Sequence, residues 1–218
     1  RITALWTYVS FCHRRTRPWW LFGRDDYLIM ESKKCAQLYV LALLQGMKFT
    51  KLLKSRKSIR TYTGKPADKK QVKKIIEAAE LAPVARGLYE NYQLTIINDP
   101  KLLKEIDQEA AMMFGDLESH PLYGVPTLIL VSAKKQDEMA YASAGIIAHN
   151  MVLAAENKGL GACYLFGAAA ALAAHPETVM KLDLPAGFMP VCGVGIGETE
   201  EELTIRDQKL DRIGINEI

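Results

Sequence analysis

The segment from Asp137 to Lys158 constrains the fold more than any other part of the chain. Alanine recurs on every side of it, Asp137 stands where a cap belongs, and Gly159 follows its last residue. It is therefore expected to form the longest helix. A helix that is apolar all round has no face left for water, so neighbours must pack against it on several sides. The rest of the chain has to supply those layers.

Its patterning does so. Residues 47–58 read as a helix with Phe49, Leu52 and Leu53 on one stripe. Between Asp68 and Ala82 the signal is clearer. Asp68 can cap the helix, Gln71 completes a capping box, and Val72, Ile75, Ile76 and Ala79 form the apolar face before Pro83 stops it. Residues 92–98 alternate and carry β-branched side chains, which predicts a strand. Asp99 and Pro100 open a further helix as cap and first residue. Thr127–Val131 is a continuous apolar run, a strand buried on both faces. Past the central helix come a strand from Ala162 to Phe166, a short helix from Pro176 to Lys181, and a last strand from Met189 to Ile196. There is no internal repeat. The expected fold is one α+β domain with few strands and long helices.

Charge divides the chain unevenly. Residues 1–46 hold seven Lys/Arg against three acids, whereas residues 47–218 are nearly balanced, with 21 basic and 22 acidic residues. All three tryptophans, Trp6, Trp19 and Trp20, also lie in the first part. A domain boundary is therefore expected at Met47, with 1–46 as an N-terminal extension of uncertain origin. That extension is compatible with an upstream translated leader, a targeting segment, or a short membrane-surface helix built on the apolar stretch from Cys35 to Leu44. The body has no basic excess to suggest nucleic acid, and no run of about 18 apolar residues to span a bilayer. Neither a nucleic-acid nor a membrane partner is expected.

Familiar catalytic patterns are absent: no GxSxG, no GxGxxG after a first strand, no GxxxxGK[ST], no HExxH and no CxxC. The histidines His13, His120, His149 and His175 lie in four different segments and suggest no metal cluster, so no metal is expected. Cys163 and Cys192 sit in apolar strands and read as small buried hydrophobes. If the domain does chemistry, a bound cofactor is its natural agent.

Three segments carry positive signals. Arg56, Ser58 and Arg60 place two guanidiniums four residues apart with a hydroxyl between them, a set suited to a phosphate if a helical turn continues through them. Taken alone, the pair reads sooner as a solvated basic helix end than as a phosphate site. The small-residue turn from Ala82 to Gly87 leaves room for a planar ring, and Gly159-Leu160-Gly161 follows the long helix.

In this order the three segments resemble the nitroreductase family of FMN-dependent oxidoreductases. Arg56, Ser58 and Arg60 match its R-x-S-x-R/K motif. Ala82-Pro83-Val84 through Asn91-Tyr92-Gln93 is similar to its A-P-S turn and the strand that follows. Ser143, Gly145, Asn150, Leu153-Ala154-Ala155 and Gly159-Leu160-Gly161 match its long helix, and Gly193-Val194-Gly195 mirrors its late G-x-G. Three positions depart from the pattern: Val84 replaces a hydroxyl residue, Glu90 a glutamine, and Ser143 the frequent aspartate.

The resemblance implies a mostly antiparallel central sheet flanked by long helices, in an intertwined homodimer that binds FMN at two shared sites. It implies cytoplasmic NAD(P)H oxidation coupled, in ping-pong fashion, to a nitroaromatic, quinone or similar acceptor. Alternatives are a non-catalytic FMN-binding module and a member reducing enones or halogenated aromatics. Carried over, Arg56 and Ser58 would hold the phosphate and ribityl end, with Lys57 nearby and Arg60 at the pyrimidine edge. Pro83, Val84, Ala85 and Asn91 would line the ring, and Tyr164, Leu165 and Gly167 would cover its other side. Arg206 is a candidate second phosphate ligand, with an exposed tail charge as the equal alternative. Met112-Met113-Phe114 is either a lid over a substrate or ordinary packing.

Overall fold

The structure is a computed structural model that describes residues 49–206 and 211–218. The expected boundary at Met47 and the extension before it, with its apolar stretch at 35–44, lie outside the described residues.

Residues 49–55 are helical, so the first helix stops three residues short of the predicted end. From Arg56 the chain leaves regular secondary structure, because long-range partners compete successfully with the next helical turn. The Ile59 amide donates to the Ala162 carbonyl at 2.9 Å, and the Thr63 amide to that of Glu198 at 3.0 Å. Ile59 is 1% exposed, and the hydroxyl of half-buried Tyr62 donates to its carbonyl at 2.9 Å.

Helix α1, Lys69–Glu80, begins as the sequence predicts. Asp68 Oδ1 accepts from the amides of Lys70 and Gln71 at 2.7 and 2.8 Å, and Gln71 Oε1 accepts from the Asp68 amide at 2.9 Å. That reciprocal pair satisfies orphan donors of the first turn. After β1, Tyr92–Ile97, helix α2 spans Pro100–Phe114, with Asp99 as its cap and Gly115 in the left-handed conformation closing it. Strand β2 covers Thr127–Ala133, and the long helix α3 covers Glu138–Asn157 between Asp137 and Lys158 as caps. Then come β3, Gly161–Leu165, helix α4, Phe166–Leu172, helix α5, Pro176–Met180, and β4, Met189–Gly197. Helix α4 is absent from the sequence reading. Its alanines carry strong helix propensity but little periodicity, so a propensity argument was needed to see it.

All three strand pairings are antiparallel, in the order β1-β2-β4-β3. Side chains alternate across β2 and divide the interior in two. Ile129 and Val131 face a cluster formed with α1 and α3, including Ile75, Ala79, Ala144, Ile147 and Met151. Leu128 and Leu130 face the other side, with Leu103 and Ile106 of α2 and Ala168 and Leu172 of α4. The α3 residues that meet the first cluster are mostly alanine, which lets the helix approach the sheet closely. In β4 the glycines face the second cluster: a Cβ on Gly195 would lie 2.4 Å from Val125 Cγ1. Among the described residues, no helix is long and apolar enough to cross a membrane.

Candidate functional site

Residues 56–60 lie outside regular secondary structure, so the helical turn that the sequence suggested does not bring Arg56, Ser58 and Arg60 together. Ile59 enters the interior, and Lys57 pairs with Glu201 at 2.9 Å. Lys57, expected as a cofactor contact, has its ammonium ion-paired with Glu201.

Arg56 and Ser58 line one cavity of about 180 Å³ with Tyr164, Ala162, Gly145, His149 and Val152. Gly145, His149 and Val152 recur at helical spacing and form one stripe of α3. Three of these residues, Gly145, Ala162 and Val152, are small or slender, so the polar groups stand around open space. Ser58 also hydrogen-bonds Cys163, and burial, the dominant influence, raises that thiol above its ordinary range. Tyr164 stays a neutral phenol, pushed up to about 12 by burial.

Arg60 stands outside the cavity lining. Its guanidinium lies 5.4 Å from the centre of the Tyr123 ring, and a hydrogen bond to Tyr123 holds it firmly protonated. Arg206 grips the segment from behind: its Nη2 donates to the Arg56 carbonyl, and its amide donates to the Lys54 carbonyl at 3.3 Å. The expected phosphate ligand is thus, in this chain, a support for the backbone that carries Arg56.

The turn after α1 is built separately. The Ala85 amide donates to Ser143 Oγ at 3.0 Å, and Ser143 in turn donates to the Met139 carbonyl at 2.8 Å. Asn150 Nδ2 donates to the Ala78 carbonyl at 3.0 Å, near the end of α1. Two polar side chains of α3 therefore hold α1 and its turn in place. Arg86 takes φ 60°, the left-handed region that costs a non-glycine residue energy. Pro83 is exposed, whereas Val84 packs against the first core cluster. Ala85 and Asn91 line a second, smaller cavity of about 70 Å³ with Arg86, Tyr92, Lys135, Met139 and Ala140. Met139 and Ala140 lie off the Gly145–His149–Val152 stripe, so the two cavities flank different sides of α3.

One chain therefore does not bring all the expected residues together. Leu165 is 5% exposed and packs in the second core cluster, so it corrects to a core residue. Gly167 lies in α4 under the ring of Phe114, where a Cβ would come within 2.6 Å of Cζ. Sequence reasoning passed over His149, Gly145 and Val152 as cavity residues. Their i, i+4, i+7 spacing was the available signal, but a helix apolar on all sides hides which stripe faces an opening.

The Nitroreductase family model matches residues 53–198. Solved nitroreductases with bound FMN from Bacteroides fragilis and Desulfitobacterium hafniense share the fold. The first is 23% identical with TM-score 0.65, covering 76% of this chain and 97% of that one; the second is 22% identical with TM-score 0.68, covering 77% and 97%. Curated relatives include an NADPH-dependent oxidoreductase of Staphylococcus epidermidis, 29% identical over 69% of this chain, and a Cr(VI) reductase of a Pseudomonas strain, 24% identical over 67%. The matched region spans 64% of the length of each.

Proposed function

The chain belongs to the nitroreductase family, and on that premise we propose that it is an FMN-dependent NAD(P)H oxidoreductase acting in the cytoplasm. Nitroaromatics, quinones or similar electron-poor compounds are its acceptors, reduced in a ping-pong cycle. The observation that carries the reading is the cavity in which Arg56 and Ser58 meet Tyr164 beside Gly145 and Ala162. A guanidinium and a hydroxyl at its mouth suit a phosphate, and the small residues leave space for the chain behind it.

When bound, FMN supplies the redox chemistry, taking a hydride from the nicotinamide and passing electrons to the acceptor. The protein's own residues bind and orient. Arg56 and Ser58 hold the phosphate and ribityl end, and Arg206 fixes the Arg56 backbone from behind. Arg60 contributes a permanent positive charge two residues beyond Ser58, which favours negative charge nearby. Tyr164 is 44% exposed and presents a neutral aromatic surface.

The reading includes a homodimer whose two sites each draw on both chains. Its support is geometric. Ala85 and Asn91 stand on another side of α3 from Arg56 and Ser58, so a second copy is needed to bring the turn of Pro83, Val84, Ala85 and Asn91 to the cavity. Met139, Tyr141 and Ile146 of α3, with Tyr164 and Phe166, are large apolar residues left more than 40% exposed. A second protomer would cover them.

The decisive measurement is the anaerobic absorbance spectrum of the purified chain, before and after NADH or NADPH. The proposal expects a flavin spectrum that either nicotinamide bleaches and an electron-poor acceptor restores. Protein that stays colourless even after added FMN refutes the cofactor assignment. Bound flavin that neither nicotinamide bleaches would identify a non-catalytic binding module instead. Light scattering that reports a monomer would refute the shared site.

A further inference from the structure

On the face of the sheet opposite α3, a second group of polar residues converges between α2 and the start of α5. We propose that Glu109, His175 and Glu177 form a binding site for a divalent transition-metal cation, with zinc as the fitting ion.

The geometry suits the ion. One potential ligand atom from each of the three residues lies within 4.8 Å of the other two. His175 Nδ1 stands 3.2 Å from Glu177 Oε1 and 3.7 Å from Glu109 Oε1. Tetrahedral zinc with bonds of about 2.0–2.1 Å holds its ligand atoms roughly 3.4 Å apart, and the two distances bracket that value. An imidazole with two carboxylates is a donor set for zinc or a neighbouring first-row ion, not for calcium. Exposed Glu177 leaves the outer side open to a water as fourth ligand.

Glu109 is the independent indication. It is 5% exposed, and its Oε2 is buried without a hydrogen-bond partner. A buried carboxylate needs compensating charge or donors, and the surroundings supply little. Thr178, fully buried, has one hydroxyl hydrogen but two carboxylates in reach, Glu109 Oε1 at 2.5 Å and Glu105 Oε1 at 3.1 Å. Lys181 is paired with Glu105. A cation between Glu109, His175 and Glu177 would neutralise the buried carboxylate, while the Thr178 hydroxyl would orient it in the manner of an outer-shell partner. Such an ion would clamp α5 to α2. No residue of this site lines the Arg56 cavity, so the inference is independent of flavin binding.

The test titrates metal-stripped full-length protein with zinc chloride by calorimetry, and with cobalt chloride by visible absorption. The expected result is one tight site per chain with tetrahedral cobalt bands. His175→Ala and Glu177→Gln should each weaken that site at least about tenfold and erase the bands, with flavin content unchanged. Glu177 is exposed, so its substitution leaves folding intact even if Glu109→Gln does not. Zinc binding equal in wild type and both variants, or absent from wild type, would overturn the proposal. So would cobalt bands that persist unaltered in these variants, since the ligands would then lie elsewhere.

Discussion

Ser143 occupies a position where the family frequently carries aspartate, and its hydroxyl offers a sharp test of how the turn at 83–91 is held. Replacing Ser143 with alanine removes the acceptor of the Ala85 amide. The Met139 carbonyl loses a second donor but keeps its place in the helix ladder, so the damage is confined to one N–H group. Ser143 is 3% exposed, whereas Ala85 is half-buried and open to partial rescue by water. An unsatisfied buried donor costs about 1–3 kcal/mol, and partial hydration selects the lower half of that range, about 1–2 kcal/mol. For a domain of this size, that lowers the midpoint of thermal unfolding by about 3–6 °C. Circular dichroism melts at one protein concentration and saturating FMN measure it, since concentration and ligand both shift the midpoint. A midpoint within about 1 °C of wild type would refute the reasoning, because the turn would then owe nothing to this bond.

Three further outcomes follow from the packing and the electrostatics. Gly195→Ala drives a Cβ to 2.4 Å from Val125 Cγ1 and 3.0 Å from Leu165 Cδ1. Overpacking of that kind should cost about 1–3 kcal/mol in urea unfolding, and an unchanged midpoint would contradict the close approach. Burial pushes the Cys192 thiol up to about 12, so above its unfolded value near 9 the folded state keeps a proton that the unfolded chain has lost. Stability should then fall as pH rises from about 9 towards 12, by up to about 1.4 kcal/mol per unit more in wild type than in Cys192→Ala. Parallel pH slopes in urea titrations would disprove it. The exposed ring of Phe114 covers Gly167. Phe114→Ala should shift the ratio of kcat/KM between a nitroaromatic and a quinone about fivefold, the equivalent of about 1 kcal/mol, with flavin content unchanged. Equal ratios would reduce that ring to simple packing.

Much of the fold was legible because its signals are local. The capping box at Asp68 and Gln71, the cap and proline at Asp99 and Pro100, and the alternation from Tyr92 all rest on neighbours a few residues away. The misreadings share one physical cause: a distant partner outweighed a local preference. Residues 56–58 leave their helix because Ala162 and Glu198 take up the amides that follow. Lys57 is ion-paired with Glu201, a distant partner that no local pattern announces. Arg56 and Ser58 line one cavity, yet the helical turn expected through them is not formed. The Glu109–His175–Glu177 group was invisible in the sequence, its members being contributed by two elements that only tertiary packing brings together.

The stretch from Arg56 to Lys65 is anchored to residues in and beyond the last two strands of the sheet. Closing loops of that length is entropically slow, so during refolding this anchoring must follow assembly of the sheet. The cavity that Arg56 and Ser58 line then forms late, and a chain still being synthesised lacks it until its C-terminal strand leaves the ribosome. Flavin added at the start of renaturation should accordingly leave the earliest phase unaltered and stabilise the product alone.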